Sequence, residues 1–285
     1  MLADARYSRQ DKSFWAHVRT IGQAVGYTRR GESQILIPSQ AEIVAAYTKL
    51  GLSCGSLFSA DGRATARGQL LLDYFEHRAR LLHDSVRPNL MDAGEARDLF
   101  DDLSRRLCPK CPLPMNKQKG EKKAPAYLTG LVNMLIEANA DGLSCDHDPR
   151  ELTTVRRGGE PLRTLARRVD GAFPAVVDPI AVWEIKEYYY TTTFGSRVAD
   201  GVYESLLDGM ELEELREHEG INVLHYLMID ARYTWWDCGK SYLCRIVDML
   251  HMGYVDEVLV GREVVTRLPD IVRTWVDLER ARRIR

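Results

Sequence analysis

Residues 180–190, IAVWEIKEYYY, set Glu184 and Lys186 two apart, with Glu187 beside them, in a strand-forming run that opens with apolar residues. Side chains along a strand alternate faces, so Glu184 and Lys186 share one face while Trp183, Ile185 and Glu187 share the other. Carrying a carboxylate and an ammonium into a packed sheet is costly unless the pair is solvated, metal-bound or mutually satisfied. Two readings follow. One is an ordinary salt bridge on an exposed sheet face, worth little energetically; the other is a site that uses the pair.

The flanking pattern specifies the kind of sheet. Strand candidates at 162–169, 180–190, 223–229 and 255–260 alternate with helices at about 196–218, 237–252 and 269–283, which predicts an α/β domain with a mixed sheet. A further helix is expected over 125–140. Residues 1–107 read as mostly helical, with Ser39 as an N-cap before AEIVAAYTKL and Gly51 as its stop. A second long helix is expected over 64–86, closed by Pro88. The stretch AEIVAAYTKL-GLS-CGSLF has the outline of a DNA-reading helix-turn-helix, but a plain helical hairpin is the favoured reading because such hairpins far outnumber recognition helices. Between the halves, CPKCPLPMNKQKGEKKA is rich in Pro and Lys and predicts a linker over 108–124. It separates a helical region, 1–107, serving DNA binding or dimerisation, from an α/β region, 125–285.

The 285 residues include 45% hydrophobic side chains, enough for one large domain or two moderate ones. Apolar runs fall far short of the ~20 residues a membrane helix needs. The N-terminal MLADARYSRQDKSFW is charged and lacks a secretory core, so the six Cys are expected to remain unpaired in a reducing cytoplasm. Lys and Arg number 39 against 41 Asp and Glu, a net charge of −2, but the distribution is uneven. Residues 105–123 carry seven bases and one acid, whereas 204–219 carry seven acids and one base.

Upstream of Glu184, Asp170 follows the strand-like LRTLARRV and precedes Gly171, which would let the chain turn beside the carboxylate. Two carboxylates converging from adjacent strands offer the hard oxygen ligands that Mg²⁺ prefers, and a nearby Lys can orient or deprotonate water. Asp170, Glu184 and Lys186, with a helix on each side of the motif strands, resemble the PD-(D/E)xK nuclease superfamily, to which many restriction endonucleases belong. The resemblance covers residues 125–260. Val169 stands where the family has Pro.

The resemblance implies a restriction-endonuclease-like mixed central sheet flanked by helices. It also implies Mg²⁺-dependent hydrolysis of double-stranded DNA, with Mn²⁺ as a substitute metal, in the setting of a prokaryotic restriction enzyme in anti-phage defence. Asp170, Glu184 and the Ile185 carbonyl would hold the metal, Lys186 would assist the water nucleophile, and Glu137 would add an acid from the preceding helix. Asp178 is the alternative first carboxylate, but it shares one extended segment with Glu184, leaving little room for a hairpin. One site per chain and two strands to cut imply a homodimer. The competing readings are a catalytically silent DNA-binding protein on the same fold and a partner-dependent nuclease subunit of a defence or mobile-element system.

Basic side chains expected to meet DNA are Lys117, Lys119, Lys122, Lys123, Arg156, Arg157, Arg163, Arg167, Arg168 and Arg197, with Tyr188 beside them. A solvated basic surface and ordinary strand propensity explain the same residues. Cys108-x-x-Cys111 and Cys145-x-His147 supply four donors for a structural Zn²⁺, or else thiols that stay free. Gly239-Lys240-Ser241 resembles the end of a phosphate-binding loop, but Thr234 occupies the required Gly position. No His-Glu-x-x-His or Ser nucleophile elbow occurs.

Overall fold

The computed structural model describes residues 1–29, 34–118, 121–190 and 195–284. Four helices open the chain: α1 (Ala5–Ser8), α2 (Lys12–Val25), α3 (Gln40–Leu50) and α4 (Ala66–Leu81). They close around Phe14, Trp15, Ile43, Leu71 and Tyr74. Ser39 and Glu42 form a reciprocal capping box at the start of α3, and Gly51 ends it in the left-handed region at φ 67.

The second helix of the helix-turn-helix outline does not form. The amides of Leu57 and Phe58 both bond to the Cys54 carbonyl in a turn that sends both side chains into the core. Helix α4 continues through a π-helical turn, Leu82–Val86, into α5 (Arg87–Asn89), so Pro88 lies within the last turn instead of closing the helix.

Helix α6 (Ala93–Leu107) follows an Asp92–Glu95 capping box. The Pro- and Lys-rich segment is more than a linker, because β1 (Met115–Gln118) and β2 (Glu121–Pro125) pair there as an antiparallel ribbon. Next come α7 (Tyr127–Asn139), β3 (Asp146–His147), and β4 (Thr154–Arg157) with β5 (Glu160–Thr164), which pair as a separate hairpin. The chain then runs through β6 (Gly171–Phe173), β7 (Ala181–Glu187), α8 (Ser196–Glu219), β8 (Leu224–Asp230), α9 (Lys240–His251), β9 (Glu257–Val260) and α10 (Val264–Ile284). The strand expected over 162–169 is therefore only β5, outside the main sheet; β7's partner is β6, whose three residues are too few to show a period.

The protein is mixed α/β. The main sheet has the order β3-β6-β7-β8-β9; β3, β6 and β7 are antiparallel, and β7, β8 and β9 are parallel. Parallel neighbours need crossovers, which α8 and α9 supply. Trp183 and Ile185 of β7 pack with α6, α7 and α10 on one face, whereas Val182 packs with Leu212 and Leu215 of α8 on the other. Helix α4 is tied to α9 by a buried ion pair, Arg78 to Asp248 at 3.0 Å, with the Tyr74 hydroxyl on the same carboxylate at 2.6 Å. Among the described residues no helix is long and apolar enough to cross a membrane.

Candidate active site

Gly171 opens β6, and its role is not the turn that its type suggests. Its neighbour across the sheet is Trp183, and a Cβ at Gly171 would lie 2.1 Å from the indole. The glycine gives Trp183 room to stack on Trp275, at 5.5 Å and nearly parallel. Asp170 is thereby fixed at the head of β6. Its amide donates to the Trp183 carbonyl at 3.1 Å, and its Oδ2 accepts from the Ile185 amide at 2.7 Å. Burial, then the nearby Glu184 charge, push the Asp170 carboxyl up to about 6, against the opposing pull of Lys186.

Glu184 and Lys186 face α8. Glu184 is 0% exposed and Lys186 8%, which removes the exposed salt-bridge reading. Lys186 Nζ donates to Glu184 Oε2 at 2.6 Å and to Glu204 Oε2 at 2.9 Å. Arg167 reaches in from the segment before β6, lying 2.6 Å from Asp208 Oδ2, 2.9 Å from Glu184 Oε1 and 3.3 Å from Glu204 Oε2. Burial alone would raise the Glu184 carboxyl; Lys186 and Arg167 outweigh it and hold it below its ordinary value. Asp208 has no such surplus, and burial with the Glu184 charge pushes it up to about 7. Gly201 on α8 leaves space for Lys186, since a Cβ there would lie 3.1 Å from Cδ.

Four carboxylates, Asp170, Glu184, Glu204 and Asp208, thus surround two cations, Arg167 and Lys186, leaving a formal charge of −2. Glu184 Oε1 touches Arg167 without hydrogen-bond alignment, and Asp208 Oδ1 is buried without a hydrogen-bond partner. Among the described residues no three His, Cys, Asp or Glu donors are already gathered around one point. Mg²⁺ asks for less, often one or two carboxylates with water and substrate phosphate, so the donor chemistry and surplus negative charge fit it.

Other sequence-predicted positions lie elsewhere. Glu137 does not join Asp170 and Glu184: it points from the far end of α7 to the 108–111 segment, accepting from the Lys110 amide at 2.9 Å. Asp178 is engaged by Arg156, whose amide and Nε donate to it at 2.7 and 2.9 Å. Several arginines expected at DNA are paired with acids: Arg157 with Glu219, Arg163 with Glu214, and Arg167 within the buried cluster. Arg168 and Arg197 are exposed, and the Tyr188 hydroxyl donates to the Arg197 carbonyl at 3.1 Å. Lys119, with the side chains of Lys117, Lys122 and Lys123, lies outside the described part of the chain. Cys108 is exposed at the end of α6, its Sγ directed at the Arg105 carbonyl, while Cys111, Cys145 and His147 line one cavity with Glu137.

Glu204 and Asp208 are the site residues that sequence reasoning passed over. Their signal is a pair of acids one helical turn apart, hidden in an acid-rich stretch that reads as a solvated face.

The fold and cluster define a mixed α/β protein with a buried acid–base site on its central strand. The chain belongs to the family described as Domain of unknown function (DUF7687), whose profile covers residues 91–275. A second profile, Domain of unknown function (DUF7690), matches residues 1–85. No curated protein and no solved structure matches the chain.

Proposed function

We propose that the protein is a Mg²⁺-dependent endonuclease of the PD-(D/E)xK type, hydrolysing phosphodiester bonds of double-stranded DNA in the manner of a restriction enzyme. One observation carries the reading. Asp170 heads the middle strand of the antiparallel set β3-β6-β7, beside Glu184 and Lys186 on β7, with α7 before the set and α8 leading to the parallel strand β8. This order of elements supports the restriction-endonuclease-like core that the motif implies.

Asp170 and Glu184, with the Ile185 carbonyl, would hold Mg²⁺. When bound, Mg²⁺ supplies Lewis-acid polarisation of the phosphate and a more acidic water. Lys186, kept protonated by Glu184 and Glu204, orients the water by donating to it. Arg167 neutralises Glu184 and Asp208, which would otherwise repel each other and the phosphate. One chain carries one such site, so cutting both strands calls for two copies, a homodimer.

The closed state of the cluster supports a second reading, a DNA-binding protein that keeps the fold without turnover, because Glu184 and Lys186 lie sealed beneath α8. Supercoiled plasmid incubated with purified protein in Mg²⁺ or EDTA separates them. Nicks or linear product in Mg²⁺ alone support the nuclease; retarded but intact DNA in both supports the silent protein.

A further inference from the structure

We propose that the protein carries a Zn²⁺ site formed by Cys111, Glu137, Cys145 and His147, which does not depend on the nuclease reading although His147 also lines the neighbouring cavity that holds Asp170 and Ile185. The four side chains line one cavity of about 330 Å³ between the segment after α6, the end of α7 and the start of β3. Cys145 Sγ lies 3.8 Å from His147 Nδ1. The Glu137 carboxylate accepts from the Lys110 amide at 2.9 Å and shares the cavity with Cys111.

Asn133 settles which nitrogen of His147 is available. Its Nδ2 donates to the Pro112 carbonyl at 2.9 Å, which turns Oδ1 toward His147 Nδ1 at 3.0 Å. Nδ1 therefore carries the proton and Nε2 keeps its lone pair, so Cys145, which lies nearest Nδ1, has to turn toward Nε2 to share a metal with this ring. A metal-bound His is normally held this way, with its second nitrogen donating to a carbonyl or carboxylate.

Two sulfurs, one imidazole and one carboxylate suit Zn²⁺ better than Mg²⁺ or Ca²⁺, which prefer oxygen ligands alone. No three of these donors already stand at bonding distance around one point among the described residues, so binding draws Cys111 and Glu137 into the cavity. Both thiols lose their protons to solvent as the metal–sulfur bonds form. The ligand set differs from the one that sequence spacing offers, because Cys108 is turned outward and Glu137 stands in its place.

The test is elemental analysis of full-length protein produced in zinc-supplemented medium and dialysed free of loose metal. About one zinc per chain is expected, with Cys108→Ser retaining it and Cys145→Ser or His147→Ala lowering it at least about tenfold. Cobalt titration of metal-stripped wild-type protein checks the site without any substitution, and tetrahedral thiolate–cobalt absorption is expected. Absence of zinc and of that absorption from the wild type overturns the proposal, as does zinc that Cys108→Ser abolishes or Cys145→Ser leaves in place.

Discussion

Arg167 helps to keep both Glu184 and Asp208 tolerable in the interior, because it touches the two together. Removing one partner of a buried ionic group leaves charge without compensation, so Arg167→Ala is expected to lower stability by about 2–4 kcal/mol in urea unfolding. A loss below about 0.5 kcal/mol would mean that water already answers these carboxylates. The Glu-x-Lys pair itself was legible in the sequence, since a charged pair in an apolar strand demands an explanation. Its helical partners were not, because Glu204 and Asp208 are separated from the strand by the 191–194 segment and face it only after α8 folds back. The role of Gly171 was also illegible: its neighbour across the sheet, Trp183, is twelve residues away in sequence.

Elements with long periods were readable and short ones were not. The α3 boundaries follow from Ser39 and Gly51, and α8 spans nearly the range its pattern predicts. By contrast β3 and β6, the paired strands beside Asp170, are two and three residues long and carry no periodic signal. The turn that replaces the second helix of the apparent helix-turn-helix is fixed by close packing. A Cβ on Gly68 would stand 2.0 Å from the Leu57 carbonyl oxygen, a backbone atom that cannot swing aside. Gly68→Ala is expected to cost about 2–3 kcal/mol, whereas Gly55→Ala, whose Cβ would meet only the Ser53 hydroxyl at 3.4 Å, should stay within about 0.5 kcal/mol. Equal effects in thermal unfolding would contradict the packing described for this turn.

The regions matched by the two family profiles are joined by packing. Asp248→Ala would leave Arg78 buried between α4 and α9 without its carboxylate, and a loss of about 3–5 kcal/mol is expected in denaturant unfolding. Beside that pair, His77 lies against Tyr7 and His251. Burial and then the His251 charge, with Arg6 and Arg80 adding to them and Asp4 opposing, push His77 down to about 4. A His depressed on folding favours its neutral form in the native state. Its contribution is therefore complete above the unfolded value near 6.5 and is lost as pH falls toward about 4. Allowing for partial exposure, acidification from pH 7 to 4.5 should remove about 1–2 kcal/mol through this group. His77→Gln should flatten that slope, and an unchanged slope would exclude His77 as its source.

We propose that Asp170, Glu184 and Lys186 act together as one hydrolytic centre. The most direct test is plasmid cleavage in Mg²⁺ by wild-type protein beside Glu184→Gln and Lys186→Ala, each verified as folded by circular dichroism. Mg²⁺-dependent nicking or linearisation is expected from the wild type, falling at least about a hundredfold in both variants. Cleavage that persists in either folded variant, or a wild type that binds DNA and leaves it intact in Mg²⁺, would contradict it.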